Sequence, residues 1–216
     1  MEKALIVYSG GLDSFTLLNL AKQKFRQVIA VSFDYGQKHR KELNFASECA
    51  QRLNIEHKVI RLPFEEFLSE SALVGTTKVP EGNYDKEKMK LTVVPNRNMI
   101  MISVAASLAI SKKINYVWYA AHSGDHEIYP DCRPEFISKL SNVLEICDYH
   151  KIVLEAPFQN LTKTDILKIG LEMKLDYSQT WTCYEGKDLP CGKCSACIER
   201  ANAFNENNAK DPLNEL

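Results

Sequence analysis

Short apolar runs alternate along this chain with longer stretches whose apolar positions recur every three or four residues. Ala4-Leu5-Ile6-Val7-Tyr8, the β-branched Val28 to Phe33, His57 to Leu62, Tyr116 to Ala121 and Ile152-Val153-Leu154 read as strands. Between them, Phe15 to Ala21 opens a helix, and Leu43, Ala46, Cys49, Ala50 and Leu53 line one face of the next. Arg97 to Ser111 is apolar nearly all round, as in a helix buried against a sheet. Phe136, Ile137, Leu140, Val143, Leu144 and Cys147 share a face of a helix that accepts Pro134 in its first turn. Thr162 caps a further helix running to Lys174. Such alternation predicts a doubly wound, mostly parallel α/β sheet with helices on both faces. Ligands of such sheets bind beyond the carboxyl ends of strands, which selects Ser9 to Ser14, Asp34 to His39 and His122 to Arg133.

Two stretches break the alternation. Residues 64–94 mix their signals, with Gly75, Pro80, Gly82 and Asn83, and read as a long excursion carrying little sheet. The polar tail from Asn205 to Leu216 is expected to fray.

Composition narrows the picture. A chain of 216 residues, 45% apolar and 25% charged, suits one globular domain spanning 1–216. A net charge of −1 supplies no field toward nucleic acid or a membrane surface. No apolar run approaches the ~20 residues of a membrane span, and the N-terminus enters a strand without a signal peptide. The expected compartment is the cytoplasm, where thiols stay reduced. The seven cysteines therefore call for a metal or catalytic explanation before disulfides.

The most informative stretch is Ser9-Gly10-Gly11-Leu12-Asp13-Ser14, between the first strand and the first helix. Adjacent glycines allow positive φ and a close ligand approach, and the helix N-terminus offers unpaired N–H groups to a phosphate. The loop is neither a Walker pattern nor G-x-G-x-x-G. Asp13 accepts but cannot donate, so beside phosphate it needs Mg²⁺ between; its alternative role is a helix cap, as it is for Ser14. Cys183, Cys191, Cys194 and Cys197 form the second signal, spaced C-x7-C-x2-C-x2-C over residues 180–204. Four thiolates with Gly192 in the turn suit a closed, structural Zn²⁺ site. An iron–sulfur cluster uses the same ligands and stands second. Cys49 and Cys147 read as core residues, and Cys132 as a tucked-in thiol.

Ser-Gly-Gly-x-Asp-Ser resembles the pyrophosphate loop of the ATP pyrophosphatases. Phe33-Asp34-Tyr35-Gly36-Gln37-Lys38-His39, Val94-Pro95-Asn96-Arg97-Asn98, Tyr129 to Phe136 and the Thr182-Cys183-Tyr184 to Cys197 segment add further motifs. Together they resemble the 7-cyano-7-deazaguanine synthase family of the queuosine precursor pathway, from Ala4 to Phe204. One departure is Ala120-Ala121-His122-Ser123-Gly124-Asp125-His126, where the family more usually has a glycine after the fourth strand.

The resemblance implies an adenine nucleotide alpha hydrolase-like fold and an ATP-dependent ligase that turns 7-carboxy-7-deazaguanine and ammonia into the nitrile. It implies a homodimer and a four-cysteine zinc site. It maps the nucleotide segment onto Tyr8, Ser9, Gly10, Gly11, Leu12, Asp13, Ser14, Phe15, Thr16, Leu17 and Leu18. Ser32 and Phe33 are candidate adenine contacts. Asp13, Arg97, Arg133 and Lys163 are candidates for phosphate and carboxylate chemistry. Asp131, with Asp125 second, can accept from the N–H donors of the deazaguanine edge, and Tyr129 can stack on its ring. His39 and His122 are acid/base candidates.

Overall fold

The apolar runs pair as parallel strands. The computed structural model describes residues 2–66, 68, 71–74, 78–82 and 89–214. In it β1 (Lys3–Val7), β2 (Gln27–Asp34), β3 (Glu56–Arg61), β4 (Tyr116–Trp118) and β5 (Val153–Glu155) form a five-stranded sheet in the order β3-β2-β1-β4-β5. Every pairing is parallel, with β1 set against β2 from Lys3↔Gln27 to Val7↔Val31. A parallel sheet is covered on both faces, which is why its inner strands read as unbroken apolar runs. The chain winds outward from β1 to β3 and then crosses back to lay β4 on the other side of β1. That reversal opens a crevice at the carboxyl ends of β1 and β4.

The helices are α1 (Leu12–Lys24), α2 (Lys41–Arg52), α3 (Arg97–Ser111), α4 (Pro134–Ile146), α5 (Lys163–Glu172) and α6 (Ser195–Glu206). Alternation along β1 sorts them between the two faces. Ala4 and Ile6, with Tyr8 beyond the strand, pack in one cluster with Leu17 of α1, Cys49 of α2, Ile166 of α5 and Phe204 of α6. Leu5 and Val7 pack on the other side with Ile102 of α3 and Leu140 of α4. Shifting β1 by one residue would exchange the two sets, so its register is strongly specified.

Local signals account for several boundaries. Thr162 Oγ1 accepts the Asp165 N–H at 3.2 Å, and the Asp165 carboxylate accepts the Thr162 N–H at 2.9 Å, a reciprocal cap for α5. Pro134 opens α4, where its missing N–H costs nothing. The stretch Lys90–Ser111, 22 residues, is long and apolar enough to pass for a membrane span, longer than the apolar pattern of Arg97 to Ser111 suggests. It is a core element here: Met101, Ile102, Ala105, Ala106 and Ala109 of α3 are buried.

The excursion after β3 contributes Phe64, Leu73, Met89 and Val94 to the α3-side core. Among its described residues the β pairing is one bridge, Glu81↔Cys194. Gly75 and Asn83 lie outside the described residues.

Two expectations fail. Cys147 ends α4 exposed rather than in the core, while Cys49 is buried as expected. The tail does not fray over its described part. Arg200, buried on α6, donates through Nε and Nη2 to the two Asp211 carboxylate oxygens at 2.8 and 2.9 Å. It also donates to Thr180 Oγ1 at 2.8 Å and to the Tyr177 carbonyl at 3.2 Å. Leu213 follows into a buried position. Local composition is polar, but a bidentate pair reaching eleven residues along the chain secures it. Asp211→Ala leaves the guanidinium buried and unpaired, so it is expected to cost about 3–5 kcal/mol in urea unfolding. A loss under 1 kcal/mol would show that the pair does not hold the tail.

Candidate active site

The crevice is built first from the loop after β1. Gly10 has φ +88°, and a Cβ there would overlap the Glu42 carbonyl of α2, so both backbone conformation and space require glycine. Gly11 caps α1 without any side-chain hydrogen bond, so neither Asp13 nor Ser14 serves as that cap. The first turn of α1 is thereby left to an anion. Two hydroxyls brace the loop from within: Ser9 Oγ lies 3.0 Å from Ser14 Oγ and accepts the Gly11 N–H at 3.2 Å. The Gly10 carbonyl accepts the Trp181 N–H at 3.0 Å, tying the loop to the C-terminal segment.

A cleft of about 250 Å³ opens over this loop, with walls from β1, β2, the His122–Cys132 region and Trp181 to Tyr184. At one end, Lys163 Nζ sits 3.3 Å from Asp13 and 2.5 Å from Glu199 of α6. Burial disfavours its ammonium, but Asp13 and Glu199 outweigh that and hold it charged, with its pKa raised. Asp13 Oδ1 is buried with no partner, an unmet acceptor of the kind a cation would satisfy. His122 accepts the Gly124 N–H on Nδ1 at 3.1 Å, so Nε2 carries the proton; it faces Asp125 at 3.7 Å and Asp13 at 3.9 Å. Asp125 is raised above the usual carboxylate range, chiefly by burial, with His122 and Lys163 opposing.

Arg97 marks the opposite end. Its guanidinium lies 5.8 Å from the Tyr35 ring centroid and 6.0 Å from that of Tyr129, and donates to the Tyr35 hydroxyl at 3.4 Å. Among the described residues no carboxylate pairs with it within 4.0 Å. Burial works against its charge, while Tyr35, Tyr129 and Asp131 favour it and the pKa is raised. Such an arginine is suited to an anionic ligand.

Beside the cleft, the sulfurs of Cys183, Cys191, Cys194 and Cys197 all lie within 4.8 Å of one another. Sulfurs bound tetrahedrally at ~2.3 Å to one ion are separated by roughly 3.8 Å, and Cys191 and Cys197 stand at 4.0 Å. The Cys191 and Cys194 N–H groups donate to Cys183 and Cys191 sulfur at 3.3 Å each, and Gly192 turns with φ +71°. The donor set fits a single metal ion with no open position.

The family model described as "Queuosine biosynthesis protein QueC" matches residues 3–208. The chain belongs to that family. It is 51% identical over 213 residues to the 7-cyano-7-deazaguanine synthase of Pseudoalteromonas translucida (strain TAC 125), covering 98% of each chain. Among solved structures it is similar to NMN synthetase from Francisella tularensis, with a TM-score of 0.56 and 16% identity, covering 97% of this chain and 79% of that one. It is also similar to the U34-tRNA thiolase NcsA of Methanococcus maripaludis, solved with its [4Fe-4S] cluster. There the TM-score is 0.52 at 17% identity, covering 96% of this chain and 65% of that one. The two structures share the fold with this QueC family member.

The expected site residues divide into three groups. Tyr8, Ser9, Gly11, Leu12, Asp13, Ser14, Phe33, Arg97, Asp125, Tyr129 and Lys163 line the cleft. Gly10 lies behind the loop, and Phe15, Leu17 and Leu18 are in the core beneath α1. Thr16 spends its hydroxyl on Tyr177 at 2.7 Å, and Ser32 donates to the Tyr8 carbonyl. Asp131 and Arg133 are not among the lining residues. Asp131 accepts the Asn98 N–H at 2.9 Å, so it secures the start of α3 rather than the helix after Pro134. Arg133 is exposed and donates to the His126 carbonyl at 2.8 Å. Cys132 is buried, its thiol pushed up chiefly by burial, consistent with a tucked-in role. Glu199, Trp181 and Gln37 were missed; Glu199 and Trp181 act across the fold, where spacing along the chain carries no signal, and Gln37 acts through local hydrogen bonds that no residue pattern announces.

The raised Asp125 has a measurable consequence. The folded state binds its proton more tightly than the unfolded one, so stability falls as pH rises from ~3.9 through the folded value. Asp125→Asn removes that penalty. It is expected to raise the melting temperature at pH 7.5, by roughly 2–4 °C for each kcal/mol relieved, with the gain vanishing below about pH 4. A lower melting temperature at pH 7.5 would contradict burial as the dominant effect.

Proposed function

We propose that this cleft carries out the 7-cyano-7-deazaguanine synthase reaction of its family by two adenylations, first of the carboxylate and then of the amide. The observation that supports it most is an uncapped helix N-terminus and a charged Lys163 at one end of the cleft, with Arg97, which no carboxylate among the described residues pairs, at the other. Hydroxide is a poor leaving group, so the carboxylate of 7-carboxy-7-deazaguanine attacks the α-phosphorus of ATP and pyrophosphate departs. Ammonia then displaces AMP to give the amide. Removal of the remaining oxygen repeats the adenylation on the amide oxygen, and loss of AMP leaves the nitrile.

The chain's own residues position these groups and offset developing charge. The backbone of Gly10 to Ser14 and the Ser9 hydroxyl receive the pyrophosphate, with Lys163 beside it. Asp13 would hold Mg²⁺ through its unmet Oδ1, and the ion would screen phosphate charge. Phe33 and Tyr8 wall the adenine side. Arg97 pairs with the substrate carboxylate between Tyr35 and Tyr129, and Tyr129 packs on the deazapurine ring. Asp125 stays at the phosphate end, where its carboxylate accepts the His122 backbone N–H at 3.2 Å. Arg133 braces the loop from His126.

We assign the four thiolates to one structural Zn²⁺. Their mutual separation supports a single ion; a four-iron cubane, with a separate iron for each thiolate, would hold them farther apart. We place the enzyme in the cytoplasm, as a homodimer.

One incubation tests the function: purified protein, Mg-ATP, ammonium and 7-carboxy-7-deazaguanine. Mass spectrometry is expected to show the amide rising and falling as the nitrile accumulates, with two AMP formed per nitrile. ATP binding without either product would overturn the assignment. Metal analysis is expected to find about one zinc per chain, and iron with sulfide would replace that reading.

A further inference from the structure

We propose that His39 is a further catalytic residue, the base that removes the nitrogen-bound proton as the nitrile forms, with Glu42 as its positioning residue. The inference rests on the two-adenylation reading above. Its starting point is a buried hydrogen-bond chain whose directions are fixed.

The Tyr35 N–H can only donate, and it meets Gln37 Oε1 at 2.8 Å. That orients the Gln37 amide, whose Nε2 donates to the Phe33 carbonyl at 3.0 Å and to Glu42 Oε1 at 3.2 Å. Glu42 is therefore an acceptor, and the same oxygen lies 3.3 Å from His39 Nε2. A carboxylate in that position draws the imidazole proton to Nε2 and leaves Nδ1 with a bare lone pair. Nδ1 is buried and has no partner, while His39 itself lines the cleft and is 6% exposed. Its ring packs against Tyr184 at 5.6 Å and Tyr35 at 6.4 Å, and the latter hydroxyl receives Arg97. A buried, oriented and unsatisfied acceptor costs stability, and it lies next to the proposed carboxylate end of the cleft.

The chemistry needs such a group. Attack of the amide oxygen on the α-phosphorus expels pyrophosphate, which takes up one nitrogen-bound proton, and leaves an imidate with AMP on oxygen and one hydrogen on nitrogen. As the C–O bond breaks, its electron pair leaves with AMP. The N–H electrons form the second π bond of the nitrile, and the proton passes to His39 Nδ1. Adenylation of the acid moves no nitrogen-bound proton, so the two half-reactions separate.

The test starts from synthetic 7-amido-7-deazaguanine and Mg-ATP in wild type, H39A and E42Q, beside acid-dependent pyrophosphate release as a measure of a folded, adenylating site. In H39A, amide-to-nitrile conversion is expected to fall by about 10²–10⁴-fold, with acid-dependent pyrophosphate release kept and the nitrile step restored by added imidazole. In E42Q the side-chain amide can turn its N–H toward Nε2 and reverse the tautomer. The kcat on the amide should then fall at least tenfold with KM for ATP and amide within about twofold. Nitrile formation by H39A within threefold of wild type would overturn the proposal, as would a loss that is confined to KM or that imidazole does not restore. Absence of nitrile from wild type would instead reject the reading on which it rests.

Discussion

One backbone hydrogen bond, from the Trp181 N–H to the Gly10 carbonyl at 3.0 Å, organises much of this structure. The phosphate loop must hold Gly10 in a left-handed conformation directly against the Glu42 carbonyl. A loop of that kind keeps its shape only when its surroundings over-determine it. Here α2 presses from one side and the C-terminal segment holds from the other. Trp181 is itself fixed by its indole N–H, donated to the Cys183 carbonyl at 2.9 Å. The neighbouring Thr180 is held by Arg200, which is paired in turn with Asp211. The segment that carries the cysteines thus walls the cleft with Trp181, Thr182, Tyr184 and Ala196, and Glu199 on the same helix as Cys197 reaches Lys163.

Charge placement follows from that arrangement. Lys163 stays protonated although buried because Asp13 and Glu199 come from two different helices to meet it. The same low-dielectric setting pushes Asp125 up and leaves Asp13 Oδ1 unmet. Arg97, across the cleft, lies against the Tyr35 and Tyr129 rings, and among the described residues no carboxylate pairs with it within 4.0 Å. Before a ligand enters, the site therefore carries polar groups whose partners are missing. Groups of this kind cost stability in the empty protein and strengthen binding when an oppositely charged group arrives.

The layers of the fold were legible in the sequence because parallel strands and their helices write periodic patterns. The loop from Ser9 to Ser14 and the four cysteines were legible because each is a local solution to a local problem. What could not be read was set by pairing across the fold. Asp131 looked like a substrate contact, yet its carboxylate holds the start of α3. The tail was expected to fray because it is polar, and the residue that secures Asp211 is buried on α6. Cys147 continued an apolar face that is buried at Leu144 but exposed by Cys147. Gln37 was visible only as a letter in a motif, although its amide fixes the direction of a hydrogen-bond chain.

The dependence of the phosphate loop on the cysteine segment is open to direct measurement. Metal is removed with a strong chelator, and Mg-ATP binding is followed by calorimetry before removal, after removal and after metal is restored. If the thiolate-bound metal holds Trp181 and Glu199 in place, the stripped protein binds Mg-ATP at least tenfold more weakly, and restoring the metal recovers the affinity. Unchanged affinity in protein verified to be metal-free would contradict it.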